Sequence, residues 1–222
     1  MIYKLLPSMM CCDFIHLSEQ LKTFEDHKID LLHIDIMDGN FVPNIALGTD
    51  FVRQIRKATS IPLDLHFMTE HPDRIIDYFP IGENDYVSIH YETAKHLQRD
   101  LQKVKSKGAK VLLAINPATP VEVAIDVLDD IDGLLIMCIN PGFAGQKMIP
   151  HAIDKIKRAK EFLNRNGKES AEIEVDGNVS IPNAIRMRNA GANMFVLGTS
   201  ALFCEDPLAD SINNFRKSVF EI

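Results

Sequence analysis

The sequence predicts an α/β protein folded as a single (β/α)8 barrel over residues 1–222, and three observations carry that expectation. Short aliphatic or β-branched runs recur eight times and alternate with longer amphipathic stretches, the pattern of strands joined by crossover helices. The length of 222 residues suits one domain, because barrels of roughly 200 to 250 residues routinely form one. No strand-like run leads into GxGxxG or GxxxxGK(S/T), the glycine loops that an open doubly wound sheet would be expected to carry.

Taken in order, the strand-like runs are "IYKLLPSMM" (2–10), "DLLHID" (30–35), "IPLDLHFM" (61–68), "YVSIH" (86–90), "AKVLLAIN" (109–116), "GLLIMCIN" (133–140), "AEIEVD" (171–176) and "NMFVLG" (193–198). The first is followed by the amphipathic "LSEQLKTFEDH", and helix-like segments then fall at 49–58, 72–79, 93–107, 120–129, 150–166, 181–190 and 206–219. Pro72, Pro120 and Pro150 mark helix starts, since a first turn does not need the missing N–H. Parallel strands require such crossovers, and a closed sheet leaves no unpaired edge.

Composition narrows the function classes. The apolar fraction of 46% is that of a globular chain with a sizeable core. A net charge of −7 with no basic stripe offers nothing to a nucleic-acid backbone. No apolar stretch is long enough to cross a bilayer, and no charged-then-apolar leader opens the sequence, so a cytoplasmic enzyme without a membrane partner is expected. Cys11, Cys12, Cys138 and Cys204 follow no CxxC or zinc-ribbon spacing and read as reduced thiols.

In a barrel of this kind the chemistry sits at the C-terminal ends of the strands. Those ends carry Ser8, His33 with Asp35, Asp64 with His66, His90, Asn116, Asn140 and Asp176. Residues two apart on a strand face the same way, so His33-x-Asp35 and Asp64-x-His66 each project an imidazole and a carboxylate together. Two such pairs converging on one buried point would be costly without a cation between them. His33, Asp35, His66 and Asp176 form the expected four-ligand set for one divalent ion, zinc, iron, manganese or cobalt rather than calcium, which prefers oxygen ligands alone. Asp64 fits either a ligand or a partner that orients an imidazole. A single strand histidine is more often hydrogen-bonded structure, and His90 and Asn116 are read that way.

Phosphate would be held by backbone amides, because no basic cluster is available. The candidates are Gly142, Phe143, Ala144 and Gly145 in "INPGFAGQ", Gly177 and Asn178 after the seventh strand, and Gly198, Thr199 and Ser200 after the eighth.

"LHIDIMDGNFVPN", "LDLHFM", "INPATPVE", "INPGFAGQ", "IEVDG" and "LGTSALF", in that order and over nearly the whole chain, resemble the ribulose-phosphate 3-epimerase family. The resemblance implies a TIM barrel that inverts C3 of a phosphorylated ketose with a divalent metal and two aspartates. Carried over motif by motif, it puts the metal on His33, Asp35, His66 and Asp176. Asp35 and Asp176 would act as base and acid through a cis-enediolate. It also implies substrate contacts from His66 and the thioethers of Met37, Met68 and Met137, although these methionines fit equally well as core filling, and Ser8 is read either as a hydrogen-bond partner of the substrate or as a residue that closes a turn. "MMCCDF", "FAGQ", "DGNVS" and "GTSALF" depart from the usual ribulose pattern and are similar to the allulose-6-phosphate 3-epimerase branch, with Asn178 where a glycine is usual. The expected substrate is therefore D-allulose 6-phosphate, giving D-fructose 6-phosphate. The alternatives are D-ribulose 5-phosphate with D-xylulose 5-phosphate, and a non-catalytic sugar-phosphate-binding barrel. An orotidine-type decarboxylase is disfavoured because "DIMDG" has no Lys in a DxKxxD arrangement. A homo-oligomer through an apolar helix face is compatible with this reading.

Overall fold

The structure, a computed structural model, describes residues 2–221. Its sheet runs β1 (Lys4–Pro7), β2 (Leu32–Asp38), β3 (Ile45–Ala46), β4 (Leu63–Met68), β5 (Tyr86–His90), β6 (Lys110–Ile115), β7 (Gly133–Met137), β8 (Glu172–Asp176) and β9 (Met194–Leu197) along the chain. Spatially the order is β1-β9-β8-β7-β6-β5-β4-β2-β3, parallel throughout except for β3, which turns back antiparallel on the end of β2. A parallel bridge between Ser8 and His33 joins β1 to β2 and closes the ring. The result is a (β/α)8 TIM barrel with one short ribbon added.

Alternation along each strand separates two cores. Outward residues such as Leu5, Ile34, Leu65, Val87, Leu113, Ile136, Val175 and Phe195 pack beneath the helices. Inward residues Leu6, Tyr86, Leu112, Leu135 and Met194 fill the cylinder below the site, with Met137 and Val196 one step nearer the open end. Truncating a plug residue such as Leu135 to Ala would cost about 2–5 kcal/mol, because the ring around it has little freedom to collapse. Below the plug Lys4 and Lys110 donate to the Tyr86 hydroxyl and Lys4 pairs with Glu172, while the polar groups of the cleft lie at the upper end.

The outer helices are α1 (Leu17–Asp26), α2 (Thr49–Ala58), α3 (Pro72–Ile75), α4 (Leu97–Lys105), α5 (Ala152–Arg165), α6 (Ile181–Ala190) and α7 (Leu208–Phe220). Several boundaries differ from expectation for local reasons. The segment 72–79 breaks into α3 and a 3₁₀ turn at Ile76–Tyr78, because Pro80 forces Phe79 into an extended conformation. The crossover at 120–129 is a 3₁₀ helix, Val121–Val127, its run of Val121, Val123, Ile125 and Val127 being poor in α propensity. The segment 93–107 is helical only from Leu97, and Pro150 precedes the cap of α5 rather than occupying its first turn. The end of the first strand-like run, Met9–Cys11, is also a 3₁₀ turn. Among the described residues no helix is long and apolar enough to cross a membrane. All four cysteines are free thiols.

Candidate active site

Register assembles the floor of the open end. β2 and β4 pair so that His33 lies beside Asp64 and Asp35 beside His66, while His66 lies beside Ser88 and Met137 beside Asp176. His33 and His66 are wholly buried, and Asp35 is 4% exposed. His33 Nδ1 donates to Asp64 Oδ2 at 2.5 Å, which leaves Nε2 facing Asp35 Oδ1 at 3.3 Å. His66 Nδ1 lies 3.6 Å from Asp35 Oδ1 and 3.9 Å from Asp176 Oδ2. Among the described residues neither His33 Nε2 nor His66 Nδ1 has a hydrogen-bond partner.

These two orphaned nitrogens and the Asp35 and Asp176 carboxylates lie within 4.8 Å of one another. Buried polar atoms left bare are destabilising by roughly 1–3 kcal/mol each, and an N₂O₂ donor set suits a four-coordinate divalent transition ion. The residues fit a metal. Asp64, by contrast, is committed to His33 Nδ1, the position of a carboxylate that sets an imidazole's tautomer.

The electrostatics split the two aspartates. Burial pushes the Asp35 carboxyl up, but the charge of His33 and the close approach of the His33 and His66 rings outweigh it and hold Asp35 well below the usual carboxylate range. Asp176 goes the other way: burial first, then repulsion by Asp35, raise it to about 7. Burial opposes charge on His33, yet Asp35 and Asp64 prevail and raise its proton affinity. A cluster of carboxylates that draws a proton onto a buried imidazole is one that would accept a cation.

Above this floor opens a cleft. Asp35, Asp176 and Ser8 reach it, and Met37, Met68 and Met137 form its apolar wall. Its far side is made by three loops: Gly142 to Gly145 after β7, Gly177 and Asn178 after β8, and Gly198 to Ser200 after β9. The sequence-derived candidates thus come together, except that His33 and His66 lie beneath the cleft and do not line it. Asn116 and Asn140 lie outside the cleft wall as well; the Asn140 carbonyl accepts from Gln146 and braces its own loop.

The loop after β8 shows why glycine and asparagine stand there. Gly177 has φ +108°, and a Cβ on it would come within 2.4 Å of the Ile139 side chain, so Asp176 is followed by a turn that only glycine allows. Asn178 is also left-handed, at φ +54°, a conformation asparagine tolerates better than other side chains. Its side-chain amide donates to Ser200 Oγ at 3.3 Å and its Oδ1 accepts from Asn183 at 2.8 Å. Asn178 thereby ties the loop after β8 to the loop after β9.

Three groups escaped the sequence reading. Cys11 lines the cleft. Glu174 is wholly buried below Asp176, with both carboxylate oxygens unpartnered; burial, then Asp64, raise its proton affinity well above normal, so the neutral acid fits there. With His33 and Asp64 it forms a second cluster two residues deeper on β4 and β8. His90, read as plain structure, has Nε2 at 2.8 Å from His66 Nε2 and Nδ1 at 3.2 Å from Glu92 Oε2. The signal was available in "IHYE", which repeats the imidazole-x-carboxylate spacing of β2 where β5 ends and its turn begins.

Comparison with known proteins agrees with this arrangement. A model of the ribulose-phosphate 3 epimerase family matches residues 4–203. A ribulose-phosphate 3-epimerase of Bacillus subtilis is 42% identical over 97% of this chain and 99% of its own length. One from Methanocaldococcus jannaschii is 37% identical over 98% and 92%, and the chloroplastic ribulose-5-phosphate-3-epimerase of Arabidopsis thaliana is 40% identical over 96% and 75%. Among solved structures, an orotidine 5'-phosphate decarboxylase from Pyrococcus horikoshii superimposes with a TM-score of 0.65 at 12% identity, over 97% of this chain and 98% of its own. A mutant tryptophan synthase α-subunit from Pyrococcus furiosus gives 0.64 at 15%, over 99% and 98%. Likeness at those identities concerns the fold alone. The family match and the full-length relatives go further: this chain belongs to the ribulose-phosphate 3-epimerase family and is an isomerase.

Proposed function

We propose that the protein interconverts D-ribulose 5-phosphate and D-xylulose 5-phosphate by moving the C3 proton between Asp35 and Asp176. The observation that carries this reading is geometric: the Asp35 and Asp176 carboxyls face one cleft and converge with two bare imidazole nitrogens, while burial and mutual repulsion hold their proton affinities apart. They stand on β2 and β8, separated around the ring by β1 and β9, and so approach a bound ketose from different sides. Asp35 takes the proton from one face of C3 and Asp176 supplies one to the other, which inverts the centre. In the reverse direction they exchange roles. Ser8 Oγ donates to Asp35 Oδ2 and keeps that carboxylate turned to the cleft.

His33, His66, Asp35 and Asp176 would hold one divalent ion, which when bound supplies Lewis-acid stabilisation of the negative charge that develops on the ketose oxygens. Met37, Met68 and Met137 exclude water from the reacting carbons. The loops 142–145, 177–178 and 198–200 present backbone amides to the phosphate.

The pentulose displaces the hexulose phosphate expected from "MMCCDF", "FAGQ", "DGNVS" and "GTSALF". Relatives at 37–42% identity along the chain carry the ribulose-phosphate name, and they support the smaller substrate. The deciding experiment compares kcat/KM on ribulose 5-phosphate and allulose 6-phosphate with one metal-loaded sample. A clear preference for the hexulose would overturn the assignment of substrate while leaving the chemistry in place.

A further inference from the structure

The metal-facing nitrogen of His66 belongs to a chain of contacts that runs along the strand ends from β4 to the turn after β5. His66 Nε2 and His90 Nε2 are 2.8 Å apart, and the two rings lie nearly parallel, 23° between planes, with centroids 5.0 Å apart. Both side chains are wholly buried. Between two such nitrogens one must carry the hydrogen and the other the lone pair. Distance alone does not say which.

The far end of the chain does. His90 Nδ1 faces Glu92 Oε2 at 3.2 Å, and an ionised carboxylate can only accept. Glu92 lies on an exposed turn, where a glutamate is ionised at neutral pH, and the contacts of Oε1 with the backbone N–H of Asn116 at 2.9 Å and the hydroxyl of Thr119 favour the charged form further. Those donors lie on the loop after β6, whose carbonyls at Asn116 and Pro117 are in turn held by the buried amine of Lys155. His90 Nδ1 therefore carries hydrogen. A neutral His90 then has a bare Nε2, which accepts from His66 Nε2–H. Neutral His66 in turn has its lone pair on Nδ1, the orphaned atom aimed at Asp35 and Asp176.

We propose that Glu92 is a positioning residue that, through His90, fixes the tautomer and ring orientation of His66 so that Nδ1 is kept free to ligate the metal. The two imidazoles of the site are then set by the same device at different reach, His33 directly by Asp64 and His66 at one remove by Glu92. This inference rests on the reading of His66 as a metal ligand.

The test uses the full chain, zinc-loaded and ¹⁵N-labelled in histidine. Two-bond ¹H–¹⁵N correlations should show His66 protonated at Nε2 and His90 protonated at Nδ1. A His90 protonated at Nε2 instead would overturn the proposal in the wild-type protein, with no variant needed. Zinc affinity by chelator competition is the second readout. Glu92→Ala should weaken binding by roughly tenfold or more, the usual effect of losing a partner behind a ligand. Glu92→Gln, whose carbonyl oxygen can still accept from His90, should recover a substantial part of the loss. If Glu92→Ala binds zinc as the wild type does while His66→Ala loses it, the positioning role fails and the metal site stands. If His66→Ala also binds zinc normally, the metal reading itself falls and takes this inference with it.

Discussion

Ser8 Oγ donates to Asp35 Oδ2 at 2.7 Å, and the same serine forms the bridge to His33 that closes the barrel between its first two strands. One residue thus joins the seam of the cylinder to the orientation of a carboxylate in the cleft. Ser8→Ala keeps the backbone bridge and removes only the hydroxyl. A lost hydrogen bond to a charged group amounts to about 1.5–3 kcal/mol, so kcat should fall by roughly ten- to a hundredfold while KM changes little. Steady-state kinetics with a circular dichroism control measures this, and an unchanged kcat would remove Ser8 from the site.

Asp35→Asn and Asp176→Asn should each abolish epimerisation, with a loss of at least about a thousandfold in kcat/KM, because an amide of the same shape can neither take nor return the C3 proton. The fold should persist, since neither residue belongs to the apolar cores. Incorporation of solvent deuterium at C3 is the informative assay. Substantial exchange and turnover in either metal-loaded variant would contradict the two-carboxyl scheme.

Removal of metal should stop turnover and lower the melting temperature together. His33 Nε2 and His66 Nδ1 have no partner among the described residues, and a ligand that binds only the native state at about a hundred times its Kd adds about 2.7 kcal/mol. For a chain of this size that corresponds to a shift of roughly 5–10 °C. Identical melting curves with zinc and with excess chelator would show that these atoms hold no ion.

Acid stability should depend on Glu92. Burial raises its carboxyl, but His90, Thr119 and the Asn116 N–H outweigh this and hold it at about 2, against 4.5 for a free glutamate. Between those values the unfolded chain binds the extra proton, so stability rises with pH across the window. The contribution is complete above about pH 4.5 and is lost as the pH falls toward 2. Urea midpoints of the wild type and Glu92→Gln should therefore converge as the pH drops through that interval. A difference that stays constant would mean that Glu92 has no depressed titration.

The sequence alone determined the periodic part of this molecule. Alternation of two and of about 3.6 residues is local, so it yielded the eight strand-and-crossover units and placed His33 with Asp35, and Asp64 with His66, on common faces. The glycine loops were legible for the same reason, because Gly142 and Gly177 need backbone conformations that other side chains resist. Local pattern says which face a residue takes, but not how deep it lies or what stands beside it on the next strand. Those are set by register and by closure of the ring. Only the tertiary structure separated Asp64 the orienting partner from Asp176 the cleft carboxyl, buried Glu174 beneath them, and turned His90 from an ordinary strand histidine into the neighbour of His66. Pairing between strands far apart in sequence decided each of these, because proton affinity and hydrogen-bond direction depend on which charges come within a few ångströms.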